Sequence, residues 1–249
     1  MTPATAAFFI GVAGVMGATV MLLTRLSTRQ QQEEDAHFRR EAQDRGWTFQ
    51  TDREAAFRIR RWTGVTDGIR WTAESWRAPS RRRNRARFEQ RMRWWADTLR
   101  GPAKPVLFMG VPAGAETPSF TVADGEGLLS RLAQKAAGLA FDAAVDRYFG
   151  REDGALVDAG ALRKVEGMAP PGYIVMAGDP SEGTRILFAG MNHAMIAARG
   201  DLAPADPEDA LAWVLLLPRR VSIARMEAIR TTAELERVAR AGAALVKRT

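Results

Sequence analysis

Few residues in this chain could carry chemistry. His37 and His193 are its only imidazoles, and it has no cysteine. The missing thiols exclude a disulfide framework, a thiolate metal site, an iron–sulfur cluster and a cysteine nucleophile. Two histidines are too few for a multi-histidine metal centre. His193, in Gly190-Met-Asn-His-Ala194, is the one candidate for acid–base work beyond the N-terminal region, and His37 sits in a polar stretch where it is expected to be solvated. Asp206, Glu208 and Asp209 gather three carboxylates that could hold a cation, although Asp206-Pro-Glu-Asp209 also reads as an ordinary acidic loop. No phosphate-binding loop, dinucleotide fingerprint, His-Glu-x-x-His pair or Gly-x-Ser-x-Gly elbow occurs. Asp124-Gly-Glu-Gly127 reads as the entrance to a helix. No catalytic residue, cofactor or metal is therefore assigned. A binding or assembly module is expected, with an enzyme of illegible site as the alternative.

The stronger signal is arginine. Of 36 basic residues only Lys104, Lys135, Lys164 and Lys247 are lysines. Residues 25–104 hold twenty basic and eleven acidic side chains, net +9, whereas residues 105–249 hold sixteen and eighteen, net −2. Within the first block Arg77, Arg81, Arg82, Arg83, Arg85, Arg87, Arg91 and Arg93 face one acid, Glu89. Like charge at this density predicts an exposed, mobile loop. Trp76, Trp94 and Trp95 flank it, and six of the seven tryptophans lie in this half of the chain. Three readings compete. The arginines could dock on an anionic membrane leaflet, at about 1 kcal/mol per basic residue, or on an acidic protein partner, with the tryptophans at headgroup level. They could hold phosphates of a nucleic acid while the tryptophans stack on bases; the sequence supports this least, since no nucleic-acid motif is present. Or they could be a solvated loop beside a tryptophan-rich core.

The elements that would position these residues begin with an apolar one. Residues 2–24 carry no charge, and residues 6–23 read AAFFIGVAGVMGATVMLL. About 20 such residues cross a bilayer core of roughly 30 Å as a helix. The stretch has neither the basic start nor the small-residue cleavage site of a signal peptide. It predicts a retained single-pass anchor over residues 1–24 of a bacterial inner membrane. Arg25, Arg29, Arg39 and Arg40 follow it, and basic flanks stay inside. The N-terminus is thus expected outside and the rest in the cytoplasm. Gly11, Gly14 and Gly17 form small-xxx-small pairs with neighbouring alanines, which would let two such helices pack as a homo-oligomer.

Beyond the anchor, residues 25–46 predict a helical stalk capped by Gly46, with residues 30–35 solvated because they lack an apolar face. A domain is expected over residues 47–249. Strands are predicted near 47–50, 57–63, 69–76, 91–99, 106–109, 173–177, 212–217 and 221–225. A capping-box pattern suggests a helical turn after residue 51, and Asp67-Gly68 suggests a hairpin. Helices are predicted over 127–149, with Leu128, Leu132, Leu139 and Val145 at roughly helical spacing, over 180–188 behind Asp179 as N-cap, and over 232–246. Because strands and helices do not alternate regularly, the pattern predicts an α+β fold with a mostly antiparallel sheet. The apolar helix, the Gly46-Trp47 start of the first strand and the Gly64-Val-Thr-Asp-Gly68 hairpin together resemble bacterial single-pass membrane-anchored domains of unknown function. That resemblance implies an anchored α+β module and brings no functional residues with it.

Overall fold

The computed structural model describes residues 3–54, 57–77, 90–112, 128–158, 160–167 and 169–249; for 3–20, 22–24, 54, 57 and 128–137 it describes the backbone only. Its frame is a nine-stranded sheet, antiparallel at every pairing, with helices on both faces. The class is α+β. In chain order the strands are β1 (Thr48–Glu54), β2 (Phe57–Thr66), β3 (Ile69–Arg77), β4 (Arg91–Asp97), β5 (Val106–Gly110), β6 (Arg163–Lys164), β7 (Tyr173–Ala177), β8 (Trp213–Leu217) and β9 (Arg220–Arg225). They lie side by side as β1-β2-β3-β4-β9-β8-β5-β7-β6. The helices are α1 (Pro3–Asp44), α2 (Leu128–Gly154), α3 (Pro180–Ile186), α4 (Asn192–Ala198) and α5 (Thr232–Val246).

Local chemistry explains most of these elements. Asp67 and Gly68 both take positive φ, 53° and 82°, so the β2–β3 turn bends with the twist of its strands. The continuous apolar run of β5 sits between β8 and β7 and is buried throughout. Asp179 caps α3 by accepting from the Ser181 amide at 3.0 Å. Donation by the Ser181 hydroxyl and amide holds this carboxyl below its ordinary pKa. Thr231 caps α5 in the same way through the Glu234 amide.

Two cores result. On one face of the sheet Trp62, Trp71, Trp94, Phe108 and Ile223 pack under α5, α4 and the last turns of α1. On the other, Leu107, Met109, Leu215 and Leu217 pack under α2 through Val145 and Phe149. Gly64 sits where Trp47 and Trp71 meet edge to face at 5.1 Å; a Cβ there would come within 2.6 Å of both rings.

Several expectations need correcting. Residues 51–54 continue β1 instead of starting a helical turn, because ladder pairing with residues 57–60 satisfies their backbone. Leu139 is exposed, and α2 runs on to Gly154 through a break at Gly150 (φ 80°). The helix after Asp179 becomes a π-turn at residues 187–191 and restarts as α4, with Gly190 at φ 97°. β4 ends at Asp97, not at residue 99. Residues 30–35 are not a free stalk: Asp35 is buried, and Phe38 and Ala42 one and two turns further on belong to the core. Among the described residues no helix is long and apolar enough to cross a membrane, and residues 6–23 lie in the part of α1 described by backbone alone.

Candidate functional site

β2 runs from Arg58 toward the Asp67-Gly68 hairpin, and β3 returns to Arg77. Arg58, Arg60 and Trp62 share a strand parity, so the face that sends Trp62 into the core also sends both arginines under α1. Buried cations need acids, and α1 supplies them. Arg60 Nε donates to Asp35 Oδ1 at 2.9 Å and its Nη2 to Glu34 Oε2 at 2.9 Å. Arg58 pairs with Asp35 and donates to Gln31 Oε1 at 2.8 Å. Arg77 Nη1 reaches Glu34 Oε2 at 3.2 Å. The Arg60 guanidinium also lies 4.6 Å over the Phe38 ring. The acidic run of α1 is therefore a clamp onto the end of the sheet where β2 begins and β3 ends.

That end is where the arginine-rich segment is rooted. Arg77 is the last described residue before it and Gln90 the first after it. Both line a cleft of about 460 Å³ with Glu34, His37, Arg60 and the residues leading into α5. Arg81, Arg82, Arg83, Arg85 and Arg87 lie outside the described residues. From Glu34 back to Thr24, the end of the uncharged run, is ten residues of α1, about 15 Å at 1.5 Å per residue. α5 starts beside Glu41, which accepts from the Thr232 hydroxyl, and continues past Arg45, which donates to Glu236 at 3.2 Å. It thus runs parallel to α1, and its positive N-terminal end faces the arginine segment's roots.

The flanking arginines and tryptophans separate into two groups. Arg91 and Arg93 belong to β4, not to a loop. Arg91 lies 4.3 Å over Trp76 and donates to the Arg147 carbonyl at 2.7 Å. Arg93 lies 4.3 Å over Trp95, donates to the Phe149 carbonyl and reaches Glu74 at 3.3 Å. Those two carbonyls sit at the Gly150 break, where cations favour the partial negative charge of a helix end. Trp76, Trp95, Arg91 and Arg93 thus form one cation–π ladder that holds α2 to the sheet. Trp94 alternates to the opposite face and is wholly buried under α5, so it is a core residue. Gly11, Gly14 and Gly17 share one stretch of α1 whose side chains are not described.

The acid–base candidates do not converge. His193 is exposed on α4, beside Ala194 and Ala197 and far along the chain from His37, which lies 3.5 Å from Glu41 on α1. Asp206 Oδ1 accepts the Glu208 amide at 3.1 Å, as an acidic turn does. No group of three or more metal-ligating side chains occurs among the described residues.

Two buried charge clusters escape sequence reasoning. Asp153, at the end of α2, accepts from Arg220 Nη1 at 2.9 Å and Ser222 Oγ at 2.7 Å on β9. Burial by itself would lower the Arg220 pKa; Asp153 and Asp97 together raise it. Arg225 is buried between Glu227 and Glu234; burial lowers its pKa against the pull of Glu227. Both tie helices to the sheet. Tyr173 is buried with no partner for its hydroxyl among the described residues, and burial raises its pKa against the opposing charge of Arg199.

No family model matches the chain, and no curated protein matches it. Among solved structures it is similar to the mycobacterial trehalose monomycolate transport factor A, TtfA, with 8% identity and a TM-score of 0.45 over 83% of this chain and 89% of that one. A likeness this loose carries nothing about activity.

Proposed function

We propose that the chain is a single-pass protein of the bacterial plasma membrane. In this reading residues 2–24 span the bilayer with the N-terminus outside. Residues 25–46 form the stalk, and the α+β domain is a cytoplasmic binding or assembly module. The arginine-rich segment between β3 and β4 engages anionic headgroups of the inner leaflet.

One observation supports this above others. Both roots of the segment, Arg77 and Gln90, share a cleft with the stretch of α1 that leads back to the apolar run. The twelve residues 78–89 can extend about 40 Å in all, so their midpoint reaches about 20 Å from the roots. The end of the uncharged run is about 15 Å from Glu34 along α1. The arginines therefore fall within reach of the leaflet, and within a Debye length of about 8–10 Å their attraction is not screened. An acidic protein partner is the other ligand such charge would take.

The full chain in lipid nanodiscs tests the reading. Trypsin should cut residues 81–87 readily in phosphatidylcholine discs and slowly in discs containing phosphatidylglycerol. Added salt should abolish the difference. Equal cutting in both lipids would remove lipid docking and leave the acidic partner. Replacing Arg81, Arg82, Arg83, Arg85 and Arg87 with Ser and finding the remaining chain equally well folded would separate binding from stability.

A further inference from the structure

The two edges of the sheet are built differently. β6 forms one with two exposed basic residues, Arg163 and Lys164. A short, charged strand is how proteins blunt an edge against further pairing. β1 forms the other edge with seven residues. Which of its backbone groups face outward follows from the hairpins. Thr66 and Ile69 flank the two-residue turn at Asp67-Gly68 and oppose each other. Such a pair exchanges both of its hydrogen bonds, and the pattern then alternates along the strand. Arg58, Arg60, Trp62 and Gly64 therefore bond to β3, and the residues between them bond to Thr48, Gln50, Asp52 and Glu54 of β1. The amides and carbonyls of Phe49, Thr51 and Arg53 are left pointing out of the sheet. None of them has a hydrogen-bond partner among the described residues.

Two cross-strand rows of side chains also stop at β1. On one face an ionic row alternates in sign. Arg93 of β4 lies 3.3 Å from Glu74 of β3, Glu74 lies 2.6 Å from Arg61 of β2, and Arg61 lies 3.7 Å from Asp52 of β1. The row ends on an aspartate side chain that is 61% exposed and whose contact with Arg61 is long. On the other face an aromatic row ends at the half-buried Phe49, 5.3 Å from Trp62 and 6.1 Å from Phe38.

We infer that β1 takes up an extended strand of a partner protein that carries basic side chains on one face and apolar ones on the other. Main-chain bonding to Phe49, Thr51 and Arg53 gives the affinity, as in strand addition to a sheet edge. The two rows give the specificity. A lysine or arginine set against Asp52 continues the alternation of charge, and an apolar side chain beside Phe49 extends the aromatic row. Positions 49 and 52 are three apart and on opposite faces, so an antiparallel partner reads basic-x-x-apolar from its N-terminus. An acidic strand would bring like charge to Asp52. A second copy of the chain fits less well. α1 follows β2, from Asp35 beside Arg58 to Trp47 beside Gly64. Antiparallel pairing of two β1 strands would point the two α1 helices in opposite directions, which the membrane reading above does not permit. Strand addition itself does not rest on that reading.

The experiment uses the full chain in phosphatidylcholine nanodiscs and a fluorescent peptide of about nine residues, alternating lysine and valine. Two controls accompany it. One has every internal amide N-methylated, which keeps charge and apolarity but removes the donors an edge needs. The other has glutamate for each lysine. The lysine peptide should bind saturably, at least tenfold more tightly than the methylated peptide and at least threefold more tightly than the glutamate one. Thr51→Pro removes one outward N–H on an edge strand, where proline is tolerated, and should weaken binding at least tenfold. Asp52→Lys, at an exposed position, should weaken it at least threefold. Both should leave the circular dichroism spectrum unchanged, and the peptide comparison on the unaltered chain decides even where a variant fails to fold. Absence of binding, equal binding of the methylated or glutamate peptide, or indifference to both variants would overturn the inference. So would a dimer of the chain that Thr51→Pro dissociates, since a second copy would then cover the edge.

Discussion

Glycine and arginine decide the most at the level of single residues, for opposite reasons. Gly242 faces the six-membered ring of Trp94, and a Cβ at this position would overlap the ring. Trp94 is fully buried and cannot yield. Gly242→Ala should therefore destabilise the protein by about 1–3 kcal/mol through overpacking, although alanine improves helix propensity by about 1 kcal/mol. Gly138, in the interior of α2, has nothing among the described residues within 4 Å of where its Cβ would stand. Gly138→Ala should stabilise by about 0.5–1 kcal/mol. Denaturant midpoints of the two variants in detergent should move in opposite directions; a shared direction would show that propensity, not packing, controls both sites. Arginine works through its planar, always-charged head, which can stack and donate at once. Arg93 does both, over Trp95 and toward Glu74 and the Phe149 carbonyl.

At the level of elements, α1 matters most. A helix without an apolar face is ordinarily solvated, yet residues 31–35 are bound to β2 and β3 by acids that meet arginines of the sheet. Asp35 is buried and serves two of those arginines. Asp35→Ala leaves Arg60 with only part of its counter-charge and should cost about 3 kcal/mol, the lower end for breaking a buried pair. Glu33→Ala, two residues away and exposed, should change stability by less than about 0.5 kcal/mol. Comparable losses in the two variants would mean that the clamp contributes nothing specific. Because α1 is one helix, the clamp also fixes the rotation and height of the domain relative to whatever holds residues 3–24.

The whole molecule is polarised. The acid-for-arginine clamp, both roots of the arginine-rich segment and the start of α5 occupy one end of the first four strands. The hairpin tip at Asp67, paired with Lys247, marks the other end. Residues 25–30 are exposed along the helix between clamp and apolar run. Inserting a heptad after Thr28 would raise the domain by about 10 Å while turning it little. The roots of the segment would then stand about 25 Å from the end of the uncharged run, beyond the roughly 20 Å reach of its midpoint. Protection of residues 81–87 from trypsin in anionic nanodiscs should fall but not vanish, because the remaining gap of about 5 Å is still within a Debye length. Undiminished protection after the insertion would mean that α1 does not set the distance.

Local properties were legible in the amino-acid order. Tyr173–Ala177 and Thr232–Val246 follow from period and capping, and the turn at Asp67-Gly68 from residues that tolerate positive φ. Antiparallel α+β architecture follows from the irregular succession of strands and helices. These depend on neighbours a few positions apart, so a one-dimensional reading reaches them. The clamp does not: Glu34 and Asp35 meet Arg58, Arg60 and Arg77 across 23 to 43 residues of chain. Nothing near residue 35 distinguishes a solvated acid from a buried one. The parity shared by Arg58, Arg60 and Trp62 was the available hint, because a face that buries Trp62 must neutralise Arg60 as well. Likewise the run Arg91 to Trp95 reads as continuous basic and aromatic surface. Only pairing with β3 and β9 sends Trp94 inward and leaves Arg91, Arg93 and Trp95 on the other face. Strand alternation assigned the two faces, and the fold decided which helix covers each.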